Sequence, residues 1–400
     1  MKNIWIINHY ATAPDEPATR SHDFAKNFTQ KDCRVSIFAS SFSHYKFIEK
    51  QAYNGKKAKF QYSDGVKFVW IKTPSYNRNN WRRFLNMLVF AFRVYKIGKK
   101  VGERPDIIIG VSVHPFAALA AYFLSKQKKS RFFLEITDLW PEILIDMKII
   151  SKNNPVVFVL KKIEKFLYQK AEKIITLWPF AGDYITKFGV PKEKIVWIPH
   201  SVNFKRLKKR LNYIPKKRKL TFLYSGIHSE YAGLDTVLRA VKILQQKKLD
   251  GFKIVLIGGG AEKKNLIKTA KDLNLKSVEF RDMVSKDEVY GVMEKSDIFI
   301  FVLKNMPLLI KYGISSNKLI DYMAVGRPII FAVKSKNNPV KDAKAGLTVE
   351  PENAQALSKT IKKMASLSFK KRLKMANNAR KYAEKYHNIE VLADKLLKLF

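Results

Sequence analysis

The stretch IIIGVSVHPFAALAAYFL, residues 107–124, decides the fold: taken as one apolar run it would be a membrane span, and taken with its break it is a strand, a turn and a helix. Pro115 behind His114 interrupts the run, β-branched residues before the break favour a strand, and alanine-rich sequence after it favours a helix. The same alternation recurs along the chain, which predicts an α/β class with parallel sheets. Strands are expected over 4–8, 35–39, 66–71, 107–113, 132–136, 174–177 and 195–198. The segment 203–218, rich in Lys, Arg and Pro, reads as a linker, and a second series follows at 220–224, 252–257, 278–281, 298–301 and 328–333. The expected organisation is a doubly wound domain over 1–202, the linker 203–218, a second doubly wound domain over 219–380, and a helix over 381–400 that could pack back on the first domain.

Of the 400 residues 46% are apolar, enough to bury two cores. The one cysteine, Cys33, excludes an internal disulfide and a cysteine-based zinc cluster, fits a reducing cytosol, and reads as a small residue before a strand. MKNIWIINHY at the start has no run long enough for a signal peptide and reads as a first strand, so the expected location is cytoplasmic. The formal charge of +42, from 76 Lys plus Arg against 34 Asp plus Glu, favours polyanionic partners: nucleic acid, an anionic membrane or phosphorylated substrates. A nucleic-acid binder would cluster basic and stacking residues on one surface, whereas Trp5, Phe38, Phe133, Phe222 and Phe299 all fall inside expected strands, which argues against nucleic acid.

WRRFLNMLVFAFRVYKIGKK, residues 81–100, sets Phe84, Leu85, Leu88, Phe92 and Tyr95 at helical spacing among seven basic or aromatic flanking residues. It predicts either a basic amphipathic helix facing a membrane through Trp81, Arg82, Arg83, Phe84 and Phe92, or a core helix with a solvated basic flank. Its apolar part from Phe84 to Phe92 is too short to span a bilayer.

SSNKLIDYMAVGRPII, residues 315–330, carries the chemistry. Ser315, Ser316 and Asn317 open a helix whose free N–H groups and positive dipole end attract phosphate, with Lys318 as an added charge and Asp321 placed to accept from two vicinal hydroxyls, as on a ribose. The plainer alternative is an ordinary helix start and a Gly-Arg-Pro stop. Gly258, Gly259 and Gly260 after an expected strand let backbone approach a ligand, or simply make a tight turn. His114 follows a strand, where an open α/β sheet has its ligand crevice; a structural histidine is the alternative.

The segments NHYATAP with TRSHDFA (8–25), ASSFSHY (39–45), VHPFAALAA (113–121), ITDLWPEILID (136–146), GLDTVLRA (233–240) and YGISSNKLIDYMAVGRP (312–328) resemble glycosyltransferase family 4, closest to the bacterial branch that assembles O-antigen and capsule. The resemblance implies a GT-B fold, two Rossmann-like domains facing a central cleft. It also implies a retaining transfer from a nucleotide diphosphate sugar, usually a UDP-sugar, with no metal or other cofactor required. The implied acceptor is a polyprenyl-diphosphate-linked sugar at the inner face of the plasma membrane. By the same resemblance Asp321 holds the donor ribose, Ser316, Asn317 and Lys318 the diphosphate, Met283 and Val284 the base, and Gly226 and His228 lie beside the phosphates. His114 and Asp138 line the first-domain side as catalytic candidates, Asp138 having an N-cap before LWPEIL as its alternative. Thr19, Arg20 and His22 fall on the acceptor side. The chain departs from the family pattern at Gly313, where many relatives have a glutamate, and near Ile227 and Ala232, where they have Arg and Lys; Pro17 and Ala18 alter the first glycine-rich turn. The lost positive charge is expected to come from Lys318, with Lys304, Lys311 or Arg327 as further sources. A UDP-sugar epimerase of the same fold is the rival enzyme, and a non-enzymatic nucleic-acid binder the remote one.

Overall fold

The computed structural model describes residues 1–12, 20–44, 47–78, 80–207, 213–214, 219–249, 251–284 and 286–400. The chain divides into two compact units, Met1–His200 with Ile389–Phe400, and Ser201–Asn388. The sequence from 381 onward is not one helix: Phe369–His387 ends in the second unit and Ile389–Leu397 belongs to the first.

The first unit is built on an eight-stranded sheet: β1 (Lys2–Ile7), β2 (Cys33–Ser40), β3 (Ala58–Ser63), β4 (Val66–Ile71), β5 (Ile107–Val111), β6 (Arg131–Ile136), β7 (Lys173–Thr176) and β8 (Ile195–Trp197). Their order is β8-β7-β6-β5-β1-β2-β4-β3, parallel except for β3, which pairs antiparallel with β4. Ile4 lies between Val35 and Ile107, so β1 is central and buried on both faces, which is why it reads as a continuous apolar run. The long helices are α1 (Arg20–Thr29), α2 (Trp81–Lys100), α3 (Pro115–Lys128) and α4 (Pro155–Lys170). Right-handed crossovers fix their sides: α1 leads from β1 to β2, whereas α2, α3 and α4 each step the other way across the sheet and therefore cover the opposite face. The C-terminal helix Ile389–Leu397 packs against α1.

The second unit has six parallel strands, β9 (Leu220–Ser225), β10 (Phe252–Ile257), β11 (Val278–Arg281), β12 (Ile298–Val302), β13 (Ile329–Ala332) and β14 (Gly346–Thr348), in the order β11-β10-β9-β12-β13-β14. Phe222 and Phe299 are fully buried in this sheet, as Trp5, Phe38 and Phe133 are in the first, so none of these aromatics forms a stacking surface. Helices α5 (Leu234–Gln246), α6 (Lys263–Asp272), α7 (Lys286–Lys295) and α8 (Asn317–Val325) connect the strands, and Ala354–Ser366 packs on α5 while Phe369–His387 packs on α8. α8 begins at the expected place and stops where Gly326 turns left-handed at φ +70. Among the described residues no helix is long and apolar enough to cross a membrane.

Each sheet has one point where the strand order reverses, between β5 and β1 in the first unit and between β9 and β12 in the second. In open α/β sheets ligands bind outside the carboxyl ends of the strands at such points.

Candidate functional site

In the second unit the chain leaving β9 and the chain leaving β10 interlock. Gly226 N–H donates to Ile257 O (2.9 Å), His228 N–H to Gly259 O (2.7 Å), and Glu262 N–H to His228 O (3.0 Å). A Cβ on Gly258 would fall on the Gly226 carbonyl and one on Gly260 would meet the His228 backbone, both at positive φ, so these two glycines are demanded by the packing of the loops. Gly259 faces open space. His228 is fully buried, and burial, reinforced by the charges of Lys263 and Lys318, lowers its imidazole to about 4, so it is neutral at pH 7.

α8 aims its N-terminus at this loop. Tyr322, stacked on Phe299, accepts a hydrogen bond from Ser225 N–H (2.7 Å) and so ties the helix to the end of β9. Ser316 stands in the N-cap position in extended conformation, but no side chain caps the helix, which leaves its first N–H groups for a ligand. Lys318 donates to Tyr224 Oη (2.6 Å) with its ammonium 3.9 Å from the Tyr224 ring centroid, and a Cβ at Gly226 would touch its Cε and Nζ. Tyr224 in turn donates to Ile227 O (2.9 Å). No carboxylate pairs with Lys318 among the described residues, and burial lowers its pKa to about 7. A half-buried lysine at the positive end of a helix lacks an anion; supplying one holds the ammonium form and satisfies the helix N–H groups at once.

Asp321, one turn further, accepts from Tyr290 Oη on α7 (2.7 Å). Met283 and Val284 follow β11 and are exposed, on the loop at its end. Ser315 is half-buried before the helix and Asn317 is exposed at its start. Tyr224, Tyr290 and Lys263 join the site without a signal in the sequence reading. Lys263 bonds Arg281 O (3.0 Å) and Asp282 Oδ1 (2.6 Å), closing the β10 and β11 loops together.

One expectation about charge is corrected. Arg327 is buried behind Gly326, at the far end of α8, where it donates to the carbonyls of Ser296 (2.9 Å), Glu294 (2.5 Å) and Gly326 (2.8 Å); it holds that end and does not face the loop. Lys304 lies 3.6 Å from Glu230, and Lys311 is exposed on the short helix Pro307–Tyr312. Gly313 has φ +82 and ψ 176, a conformation essentially reserved for glycine, so a glutamate could not take its place without strain.

In the first unit the residues after β1 and β5 meet at the reversal point. His9 Nδ1 and His114 Nε2 are 2.6 Å apart, both rings fully buried, with His9 stacked on Phe90 at 4.1 Å. His114 also caps α3, its Nδ1 accepting from Ala117 N–H (3.3 Å). That bond places the His114 proton on Nε2, pointing at His9, and leaves His9 protonated on its own Nε2. Burial, with the Arg83 charge added, drives His114 down to about 3 and His9 well below its usual range, so the pair is neutral. Both His114 nitrogens are thus committed inside the unit: as placed, it orients His9 and holds α3 rather than presenting a nitrogen to a ligand.

Asp138 lies just beyond β6, half-buried. Its alternative as an N-cap is overturned, since the next helix, Glu142–Asp146, starts after Pro141 and receives no side-chain cap. Burial raises its carboxyl to about 6. A small pocket lined by Tyr10, Thr12, Ser40, Ser41, His44 and Gln51 opens at the same strand ends. Arg83, expected to face a membrane, is half-buried, with its guanidinium 6.0 Å from the Tyr10 ring, and its charge acts on His9, His44 and His114; Trp81, Arg82, Phe84 and Phe92 are exposed. Arg20 and His22 are corrected too. Arg20 is spent on Glu135 (3.1 Å) and the carbonyls of Ile198 (2.9 Å) and Pro199 (2.5 Å), which fasten β8, and His22 is buried against Phe68 beside Asp64. Thr19 lies outside the described residues. Among the described residues no three His, Cys, Asp or Glu side chains cluster as metal ligands.

Whole-chain similarity to solved structures defines the class of architecture as GT-B. Sucrose-phosphate synthase from Thermosynechococcus elongatus superposes with TM-score 0.77 at 16% identity, over 100% of this chain and 98% of that one. HepE from Anabaena, solved with UDP-glucose, gives 0.69 at 13% over 100% and 99%, and WaaG, a glycosyltransferase involved in lipopolysaccharide biosynthesis, 0.69 at 15% over 99% and 99%. Residues 18–206 match the family model Glycosyltransferase Family 4 and residues 205–382 the model Glycosyl transferases group 1. The protein is a glycosyltransferase, built from a family 4 domain followed by a group 1 domain. No curated protein matches its sequence.

Proposed function

We propose that the protein moves a sugar from a nucleotide diphosphate donor, a UDP-sugar, to a polyprenyl-diphosphate-linked saccharide on the cytoplasmic membrane face in bacterial surface-polysaccharide assembly. The observation that carries the donor half is Lys318, a half-buried lysine without a carboxylate partner among the described residues, at the uncapped start of α8. HepE was solved with UDP and with UDP-glucose, and a trehalose-6-phosphate protein from E. coli with UDP-2-fluoro glucose, which supports a UDP-sugar here. Asp321 takes the ribose hydroxyls, and the exposed backbone of Met283 and Val284 meets the base. WaaG's part in lipopolysaccharide biosynthesis and the exposed aromatic and basic side chains of α2 support the lipid-linked acceptor.

In the transfer the bond from the sugar's anomeric carbon to the diphosphate oxygen breaks, the acceptor oxygen bonds that carbon on the same face, and the acceptor proton passes to the departing diphosphate. The helix N–H groups and Lys318 stabilise the charge that develops on the leaving group, without reorganisation and without a resident metal. Incubation of the protein with labelled UDP-sugars and lipid-linked acceptors tests this. Label moving to lipid, with UDP released only when acceptor is present, is the expected result; a change of sugar configuration without acceptor would establish the epimerase instead.

A further inference from the structure

α2, α3 and α4 lie side by side on one face of the first sheet, α2 packing on α3 and α3 on α4. Their outer surfaces leave large apolar side chains in solvent: Trp81 is 68% exposed, Phe92 58%, Phe158 62%, Val159 54% and Phe123 49%. The two outer helices repeat one device. Lys96 reaches over the ring of Phe92 (4.3 Å) and Lys162 over the ring of Phe158 (4.4 Å), each four residues on, so an apolar ring and an ammonium share one spot on each helix. The three helices together carry twelve lysines and arginines and a single acid, Glu164, which is buried and bonded by Tyr168 (2.7 Å) and Tyr184 (2.8 Å).

The opposite face of the same sheet is the internal control. α1 and the C-terminal helix have three basic and three acidic residues and expose one large apolar side chain, Val391. Of the two helical layers on this sheet, only one combines basic excess with apolar exposure, which composition alone does not explain.

We infer that the α2–α3–α4 layer is a membrane-docking face with two insertion ridges, α2 and α4, that seats on an anionic lipid bilayer. The inference rests on the reading of a membrane-bound acceptor and extends the contact from α2 to a helix that sequence periodicity did not single out. Rings flanked by lysines suit the boundary between acyl chains and anionic headgroups. A second copy of the chain fits poorly, because two surfaces bearing only exposed positive charge repel.

Co-sedimentation of the full chain with vesicles of phosphatidylcholine alone, or of equal phosphatidylcholine and phosphatidylglycerol, decides the matter. Wild type is expected to bind the anionic vesicles, less so at high salt. Phe158→Ser with Val159→Ser, and separately Trp81→Ser with Phe92→Ser, should each cut binding at least tenfold, while Val391→Ser changes nothing. Lys162→Glu with Lys165→Glu repeats the α4 test without removing apolar groups, and an unchanged thermal shift with UDP shows that each variant is folded. Loss with the α2 pair alone would overturn the two-ridge face and leave the acceptor reading standing. Wild type free of anionic vesicles would overturn both, and a dimer in solution that the α4 variants dissociate would assign the layer to self-association.

Discussion

The two units place different chemistry at equivalent points of the same fold. At the reversal point of the first sheet, His9 and His114 spend their facing nitrogens on each other and on the start of α3, and burial keeps both neutral. Near that of the second, Lys318 has one phenol oxygen for a partner and an uncapped helix beside it. The first point is complete in the protein alone; the second is short of an anion. A site that binds charge is recognised by what it leaves unsatisfied, and a site that orients by how much it satisfies internally.

Variants can break that contrast. Lys318→Met removes the unpartnered charge while filling its space, and should weaken UDP binding about 100-fold, in line with about 1.5–3 kcal/mol for charge-assisted bonds. Asp321→Ala should cost about tenfold in UDP affinity, and less for a diphosphate without ribose, measured by calorimetry. His114→Ala should behave oppositely: it removes a helix cap and a buried partner, so it should lower stability by about 2 kcal/mol in denaturant while UDP affinity stays at the wild-type level. Tyr224→Phe keeps the ring but frees the ammonium, and should weaken UDP binding by about threefold.

The pH dependence sharpens the same point. With its pKa pulled from 10.5 to about 7, Lys318 holds fewer protons in the folded chain than in the unfolded one across that window. Its contribution to stability therefore rises with pH between those values. Diphosphate binding needs the ammonium, so UDP affinity should run the other way, falling by up to about tenfold per pH unit above 7. Lys318→Arg, charged throughout, should flatten the profile.

The sequence announced the sheets because central parallel strands are continuous apolar runs; β3 went unseen because an edge strand with one wet face, AKFQYS, lacks that signature. The start of α8 was legible, as caps and stops are local. The His9–His114 pair was not, since it joins residues 105 apart, although His9 follows β1 as His114 follows β5 and the same strand-end argument applied to both. Tyr224 hid among the core residues of β9, where a phenol reads as one more buried ring. Arg327 misled because a cation beside a helix motif looks available until the carbonyls of Glu294 and Ser296 are seen around it. In α2 the apolar stripe was read correctly as a stripe, yet the buried face is Met87, Phe90, Val94 and Gly98, and the more conspicuous aromatics face outward.

Calorimetric titration of UDP into wild type and Lys318→Met at pH 7, with both shown to be folded, tests the central claim most directly. The account predicts binding by wild type and a loss of about 100-fold in the variant. Equal affinities would mean that Lys318 does not hold the diphosphate and that the anion seat lies elsewhere.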